Sequence, residues 1–265
     1  MEGIYIVMKK RTKVVLVCSI AVVTVLLVIA LPIIRQFQQL APLNTGEIVP
    51  GVFAVRDGNA NMFIIRTSEN NYIAIDAGNT RETVYEEMAI LGINPSDVVA
   101  VFLTHVDGDH IGGLPLFYNA TIYLHEEEMQ MIDGTTRRTL FGLNILGRHI
   151  ELPDEVSVTA ITGTVVIDDT EVHSYLVPGH TPGSTFWRID NMLFTGDTIG
   201  LRDGRTYVHF PTLFNMDANQ QIESVNTLFD RIDFFSENPQ VIYLFTSHHG
   251  YTNDAGFALY GGLRR

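Results

Sequence analysis

The hydrophobic pattern divides the chain into an apolar N-terminal segment and a longer region of short apolar runs. Residues 14–34 form an almost uninterrupted apolar run, and about 20 such residues span a bilayer as a helix. From residue 47 onward the apolar runs are short and are separated by turn residues. The pattern predicts a transmembrane helix over residues 14–34, a linker over residues 35–46 and one folded domain over residues 47–265.

The folded domain begins with three strands in a meander, predicted over residues 51–56, 61–67 and 71–77. A helix is predicted over Thr80–Leu91, with Thr80 as its N-cap and Gly92 as its stop. Further strands are predicted over residues 98–104, 121–124, 156–161, 172–177, 185–189, 192–194 and 241–245, and further helices over residues 125–132 and 218–235. The order of strands and helices occurs twice in outline, which predicts a four-layer αβ/βα sandwich. Residues 133–151 are interpreted as an insertion, a flap over a site.

The charges beside the apolar segment predict its orientation. Lys9, Lys10, Arg11 and Lys13 precede it, and the positive-inside rule places residues 1–13 in the cytoplasm as a basic tail. The folded domain would then lie outside the cytoplasm, attached to the cell membrane by a single span. The alternative is a cleaved signal peptide and a secreted domain, although the run is long for a signal and no small-x-small site follows it.

The composition of the folded region excludes several classes of function. Outside residues 1–40 there are 12 basic and 29 acidic residues, a formal charge of −17, which argues against a nucleic-acid partner. Glu126, Glu127 and Glu128 are interpreted as a solvated face. Cys18 is the only cysteine, so the folded region has neither a disulfide nor a cysteine nucleophile.

Four metal-capable side chains follow directly after the predicted strand 98–104, namely His105, Asp107, Asp109 and His110. Histidine and carboxylate are the usual ligands of zinc and similar divalent ions. Residues i and i+2 of an extended segment point the same way, so His105 and Asp107 can face one ion. The other two lie beyond a glycine turn and can face a second ion.

Three further loops carry metal-capable residues at the end of a predicted strand. His180 lies in the segment Pro-Gly-His-Thr-Pro-Gly-Ser, and Asp197 lies in Thr-Gly-Asp-Thr. His248 and His249 form a pair before Gly250. Loops that follow the ends of neighbouring strands can bring such side chains together.

The ordered motifs resemble those of the metallo-beta-lactamase superfamily. The matching segments are THxxxDHxGG, PGHTPGS, TGDT and a late His-Gly, over about residues 47–260. Ile75-Asp76-Ala77-Gly78 also resembles the early Asp-x-Gly turn of that family. Asp76 is interpreted as a structural residue behind the ligands rather than as a ligand.

The resemblance implies a dinuclear metal centre. His105, Asp107 and His180 would hold the first ion. Asp109, His110 and either His248 or His249 would hold the second, with His248 favoured, and Asp197 would bridge the two ions. Asp109 would also be catalytic, because it would orient a hydroxide held between the ions and accept its proton.

Asp107 departs from the family pattern, which usually has histidine at this position. The oxygen donor is harder than a histidine nitrogen, so the expected Zn²⁺ has Mn²⁺ or Fe²⁺ as an alternative. The His-x-Asp-x-Asp-His form also resembles the hydrolase domain of DNA-uptake competence proteins.

The function implied is that of a membrane-anchored, metal-dependent hydrolase. Its substrate is expected to be a small ester, thioester, lactone or amide, since His-Thr-Pro-Gly-Ser resembles the glyoxalase II and lactonase-like branches. The alternatives are a phosphodiesterase or nuclease, and a non-catalytic regulatory relative. The fold alone does not choose among these chemistries.

Overall fold

The structure is a computed structural model that describes residues 2–140, 143–148, 150–208, 214–230 and 240–262. It separates into two compact units, Met1–Leu40 and Ala41–Arg265. The first unit contains helix α1, Glu2–Phe37. Within it, Val15–Arg35 has a mean hydropathy of 3.0 over 21 residues, long and apolar enough to cross a membrane by length and composition. A signal sequence would meet the same criterion.

The second unit contains the remaining elements. Its first half consists of β1 (Gly46–Val49), β2 (Val52–Asp57), β3 (Ala60–Arg66), β4 (Tyr72–Ile75), α2 (Arg81–Leu91), β5 (Val98–Phe102), α3 (Gly108–Ile111), β6 (Thr121–His125), α4 (Met129–Ile132), β7 (Arg138–Leu140), β8 (Leu143–Arg148) and β9 (Val158–Ile161). Its second half consists of β10 (Thr164–Ile167), β11 (Thr170–Leu176), β12 (Thr185–Ile189), β13 (Met192–Phe194), β14 (Ile199–Arg202), β15 (Arg205–Val208), α5 (Ala218–Asp230), β16 (Tyr243–Thr246), β17 (Gly250–Thr252) and α6 (Ala255–Gly262). Short 3₁₀ helices lie at Pro95–Asp97, Leu114–Leu116 and Glu126–Glu128.

Two large sheets organise this unit. The first has seven strands in the order β1-β2-β3-β4-β5-β6-β9, and the second has six in the order β10-β11-β12-β13-β16-β17. Pairing in the first sheet is antiparallel as far as β4 and parallel from β4 to β9. In the second sheet only β13 and β16 pair in parallel. In parallel pairs the loops at the carboxyl ends meet at one edge, and the metal-capable loops lie there.

The hydrophobic core shows how the layers are stacked. The two sheets pack face to face through large side chains that include Phe63, Phe102, Trp187, Phe194 and Phe245. On the outer face of the first sheet, Val84 and Met88 of α2 join a second cluster. On the outer face of the second sheet, a third cluster includes residues of α5 and α6. The sandwich therefore has the predicted helix–sheet–sheet–helix arrangement.

Each predicted strand is present, with ends that differ by at most two residues. Helix α2 has Thr80 at its N-cap and the left-handed Gly92 at its C-cap, as predicted. Of the helix predicted over residues 218–235, Ala218–Asp230 is helical and residues 231–235 lie outside the described part of the chain.

Other details of local structure differ from the predictions. The helix predicted over residues 125–132 is present as a 3₁₀ turn followed by α4, and the Nδ1 atom of His125 accepts the Glu127 N–H at the start of that turn. The β14–β15 hairpin was missed, although Asp203 and Gly204 both have positive φ, the signature of a two-residue hairpin turn. The region 133–151, interpreted as an insertion, contains β7 and β8, which pair as an antiparallel hairpin.

Two glycines allow the loop after β5 to pack against the loop after β4. The N–H of Gly112 donates to the carbonyl of Gly78 (2.8 Å), and the N–H of Gly113 donates to that of Ala77 (3.0 Å). A Cβ atom on Gly112 would overlap the backbone carbonyl of Asn79. Since a backbone atom cannot move aside as a side chain can, this position requires glycine.

We expect Gly112→Ala to lower the free energy of unfolding by about 1–3 kcal/mol or more, as overpacking does. Gly46→Ala is the matched control, because no described atom lies within 4 Å of a Cβ atom placed there. Denaturant unfolding of both variants measures the difference. An equal loss in the two variants would contradict the close approach at Gly112.

Candidate metal centre

The structure brings seven metal-capable residues from distant parts of the chain into two adjacent groups. The first group is His105, Asp107 and His180, and the second group is Asp109, His110, Asp197 and His248. Within each group, one potential ligand atom per residue lies within 4.8 Å of the others. The sequence motifs singled out all seven together with His249; Asp109 and His110 lie in the short helix α3, and the other five lie in loops after strands.

The buried carboxylate of Asp197 is the centre of the cluster. The Nε2 atoms of His110 and His248 lie 3.3 and 3.0 Å from its Oδ1 atom. The Nε2 atoms of His180 and His105 lie 3.7 and 4.0 Å from its Oδ2 atom. Asp197 thus faces both groups, the position needed by a ligand shared between two ions.

Two of the histidine rings are oriented by one buried network. The Nδ1 atom of His110 lies 2.8 Å from Oδ2 of Asp76, and that of His105 lies 3.0 Å from Oγ1 of Thr104. The Thr104 hydroxyl in turn donates to Asp76. Because these partners take the Nδ1 atoms, the Nε2 atoms face the cluster, and Asp76 lies behind His110 rather than among the potential ligands.

The other two rings are held in the same way. The Nδ1 atom of His180 lies 2.8 Å from Oδ1 of Asn215, and that of His248 lies 2.6 Å from the carbonyl oxygen of Asn59. A partner on one ring nitrogen is the usual arrangement behind a histidine that binds metal through the other. All four rings therefore present Nε2 to a common space.

The centre lacks the hydrogen bonds that its burial would require. Nε2 of His105, Nε2 of His110 and Oδ1 of Asp197 are buried atoms with no hydrogen-bond partner among the residues that the structure describes. Burial would raise the pKa of Asp197, but the neighbouring His248 and His110 hold it well below its usual value. Unpaired buried polar atoms are costly, so the donor set fits one or more divalent cations.

Asp107 has a partner that the sequence did not reveal. Nε and Nη2 of Arg138, at the start of β7, each lie 2.7 Å from a carboxylate oxygen of Asp107. Burial would raise the pKa of Asp107, but this guanidinium holds it well below its usual value. Arg138 is only 7% exposed, so the predicted flap inserts a buried cation beside the first group.

Glu128 connects two of the metal-capable loops. Its carboxyl group accepts hydrogen bonds from the N–H of Val106 (3.1 Å) and the N–H of Gly183 (2.8 Å). The interpretation of this residue as part of a solvated face was wrong, because Glu128 is fully buried. Burial raises the pKa of Glu128 to about 8. It joins the loop after β5 to the loop after β11, and so holds the two halves of the first group together.

Of the histidine pair before Gly250, the structure brings His248 into the cluster and leaves His249 outside both groups. The Nε2 atom of His249 lies 2.6 Å from the hydroxyl oxygen of Tyr207. Burial lowers the pKa of His249 to about 4. The sequence favoured His248 and left His249 open, and the geometry of the turn after β16 brings His248 rather than His249 into the cluster.

Comparison with known proteins gives the same picture of the fold. Residues 55–231 match the family model described as the metallo-beta-lactamase superfamily. A solved B3 metallo-beta-lactamase, described as the first with an active-site glutamic acid, is 16% identical, with a TM-score of 0.60 over 86% of this chain and 89% of that one. The HARLDQ-motif metallo-beta-lactamase of Cronobacter sakazakii is 21% identical, with a TM-score of 0.58 over 80% and 81%.

Among curated proteins, ribonuclease Z of Lactococcus lactis subsp. cremoris (strain MG1363) is 31% identical over 91 residues. This match covers 32% of the chain and spans only 30% of the length of ribonuclease Z.

We expect Glu128→Ala to lower the free energy of unfolding by about 2–6 kcal/mol, because it leaves two buried N–H groups unpaired at about 1–3 kcal/mol each. The folded-state pKa is raised, so the stability contributed by Glu128 is complete below its unfolded pKa and is lost as pH rises through about 8. The difference from wild type should therefore be larger at acidic than at alkaline pH.

Chelator-treated protein is used, with the exposed Glu127→Ala as the control. A difference that grows with pH would contradict the assignment.

Proposed function

The chain belongs to the metallo-beta-lactamase superfamily of metal-dependent hydrolases, and on that premise we propose that it hydrolyses a small ester, thioester, lactone or amide. The observation that carries the proposal is the convergence of four histidine Nε2 atoms on the buried carboxylate of Asp197. Such a donor set supports divalent metal chemistry, with Zn²⁺ as the expected ion and Mn²⁺ or Fe²⁺ as alternatives.

We propose that the two groups are the metal ligands, with Asp197 shared between them. A divalent ion held there would supply Lewis-acid polarisation of the substrate and would lower the pKa of bound water to about 7. The chain itself provides the orientation, since Asp76, Thr104, Asn215 and the carbonyl of Asn59 hold the four rings. The rings therefore do not need to reorganise during the reaction.

Asp109 is the proposed proton acceptor. Its side chain is 37% exposed, whereas the side chain of Asp197 is 5% exposed. Its Oδ2 atom lies 3.4 Å from Nε2 of His248, so it borders the cluster and also reaches solvent. This position allows Asp109 to take a proton from water and release it.

A covalent route through a side-chain nucleophile has less support. Ser184 is the last residue of the His180 motif, but it is buried and its hydroxyl oxygen accepts the N–H of Thr181 (2.9 Å). Cys18, the only cysteine, lies in α1. Hydrolysis by activated water requires neither residue.

A nuclease or phosphodiesterase is the second candidate, and the local match to ribonuclease Z supports it. The charge of residues 41–265, a formal −17, opposes it, because nucleic-acid binding surfaces are usually basic. A small-molecule hydrolase is consistent with both the cluster and the charge.

The first test is Asp197→Asn, which keeps the shape of the side chain and removes its charge. We expect the metal content to fall below one ion per chain and hydrolysis to fall roughly 100-fold or more, because the ion supplies several kcal/mol of transition-state stabilisation. Elemental analysis of the purified protein measures the metal. Asp190→Asn is the control, since Asp190 is exposed and asparagine tolerates its left-handed backbone, φ 51°. Unchanged metal content in Asp197→Asn would refute the proposed centre.

The substrate class is tested with a panel of esters, thioesters, lactones, a cephalosporin and bis-p-nitrophenyl phosphate, each with Zn²⁺ and with Mn²⁺. We expect turnover of at least one carbonyl substrate. Activity on the phosphodiester alone would instead support the nuclease. Metal binding without turnover of any substrate would support a non-catalytic relative.

We propose that α1 anchors the domain to the cell membrane with the metal centre outside the cytoplasm. The apolar segment Val15–Arg35 and the preceding basic residues support this orientation. The full chain is expected in the membrane fraction after alkaline carbonate washing, with the mass of the uncleaved protein. A soluble product that lacks the N-terminal segment would show cleavage of a signal peptide instead.

A further inference from the structure

Arg138 makes an unusual set of contacts for a residue beside a metal centre. Its Nη2 atom donates to Oδ2 of Asp107 (2.7 Å) and to the carbonyl oxygen of Phe214 (2.7 Å). The same Nη2 atom lies 3.4 Å from Nε2 of His180. The guanidinium therefore reaches the ring nitrogen and the carboxylate oxygen that the first group would offer to an ion.

The short segment from Phe214 to Met216 holds this arrangement from two sides. The carbonyl of Phe214 accepts from Arg138, and the next side chain, Asn215, contacts Nδ1 of His180. The N–H of Met216 donates to the carbonyl of His180 (3.1 Å). One short segment thus positions both the histidine and the guanidinium that faces it.

Charge distinguishes the two groups. In the first group, Asp107 is neutralised by Arg138 through two hydrogen bonds from Nε and Nη2, a strong pairing for a carboxylate. The remaining donors of that group are two imidazoles. In the second group, the carboxylate of Asp109 accompanies His110 and His248, and Asp197, which also faces the first group, adds a second negative charge beside them.

We propose that Arg138 determines metal stoichiometry, because its guanidinium competes with a cation for Asp107 and His180 in the first group. The second group then binds one divalent ion tightly, and the first group binds another only weakly. This inference rests on the proposed function, since it concerns the same metal centre.

A direct role for Arg138 in substrate binding has less support. Its Nε and Nη2 atoms donate to Asp107, and Nη2 also donates to Phe214. Its Nη1 atom donates to the carbonyl oxygen of Thr139 (3.1 Å). An incoming anion would have to displace these acceptors, so the contacts favour a role toward Asp107.

The experiment titrates the metal-free full-length protein in detergent with Co²⁺ and Zn²⁺, using calorimetry and the visible absorption of bound Co²⁺. Wild type is expected to bind one ion tightly and a second roughly 100-fold or more weakly, because an adjacent unit positive charge opposes it. Arg138→Met removes that charge at similar length, and should bind two ions with second-ion affinity raised roughly 100-fold. Arg137→Met, at an exposed neighbour, should behave as wild type.

Arg138→Lys addresses the possibility that the Met variant does not fold, which circular dichroism detects. Lysine keeps the charge but cannot form the two-pronged contact, so the second ion should bind with intermediate affinity. Two equally tight ions in wild type, unchanged in either Arg138 variant, would overturn this inference and leave the proposed metal centre intact. No tight ion in wild type or in any variant would overturn the metal centre itself.

Discussion

The structure of the site depends on the buried negative charge of Asp197. Burying a carboxylate raises the free energy of the folded state unless positive charge lies close to it. Four histidine rings from three segments of the chain approach Asp197 through their Nε2 atoms. Each ring is held at its other nitrogen by a polar partner, namely Thr104, Asp76, Asn215 or the carbonyl of Asn59. The sandwich therefore brings these segments together around the charge of Asp197, and a divalent cation fits the resulting donor set.

The two groups compensate their carboxylates by different means. The second group places the carboxylates of Asp109 and Asp197 with two histidines. The first group has the carboxylate of Asp107, and Arg138 supplies its counter-charge. This cation comes from a separate hairpin, formed by β7 and β8.

Glu128 illustrates a second kind of buried acid. It contacts backbone N–H groups rather than a cation, and its burial raises its pKa to about 8. In this role a carboxyl group is a hydrogen-bond acceptor that joins two loops, and its charge is a disadvantage. The neighbouring Glu127 is exposed, so adjacent identical residues have opposite environments. Only the path of the chain after β6 makes one side chain buried and the other exposed.

The sequence by itself determined the layered α/β architecture and six of the seven residues of the two groups, because both leave local patterns. The periodicity of apolar residues predicts strands and helices. Metal-capable residues directly after predicted strands indicate loops that meet at one edge of a sheet. Tertiary structure alone decided that His248 rather than His249 joins the cluster, that Glu128 is buried, and that Arg138 pairs with Asp107 across 31 positions of the chain. These three outcomes depend on which residues become neighbours in the folded chain. The identity of a charged residue does not indicate which distant residue it will contact.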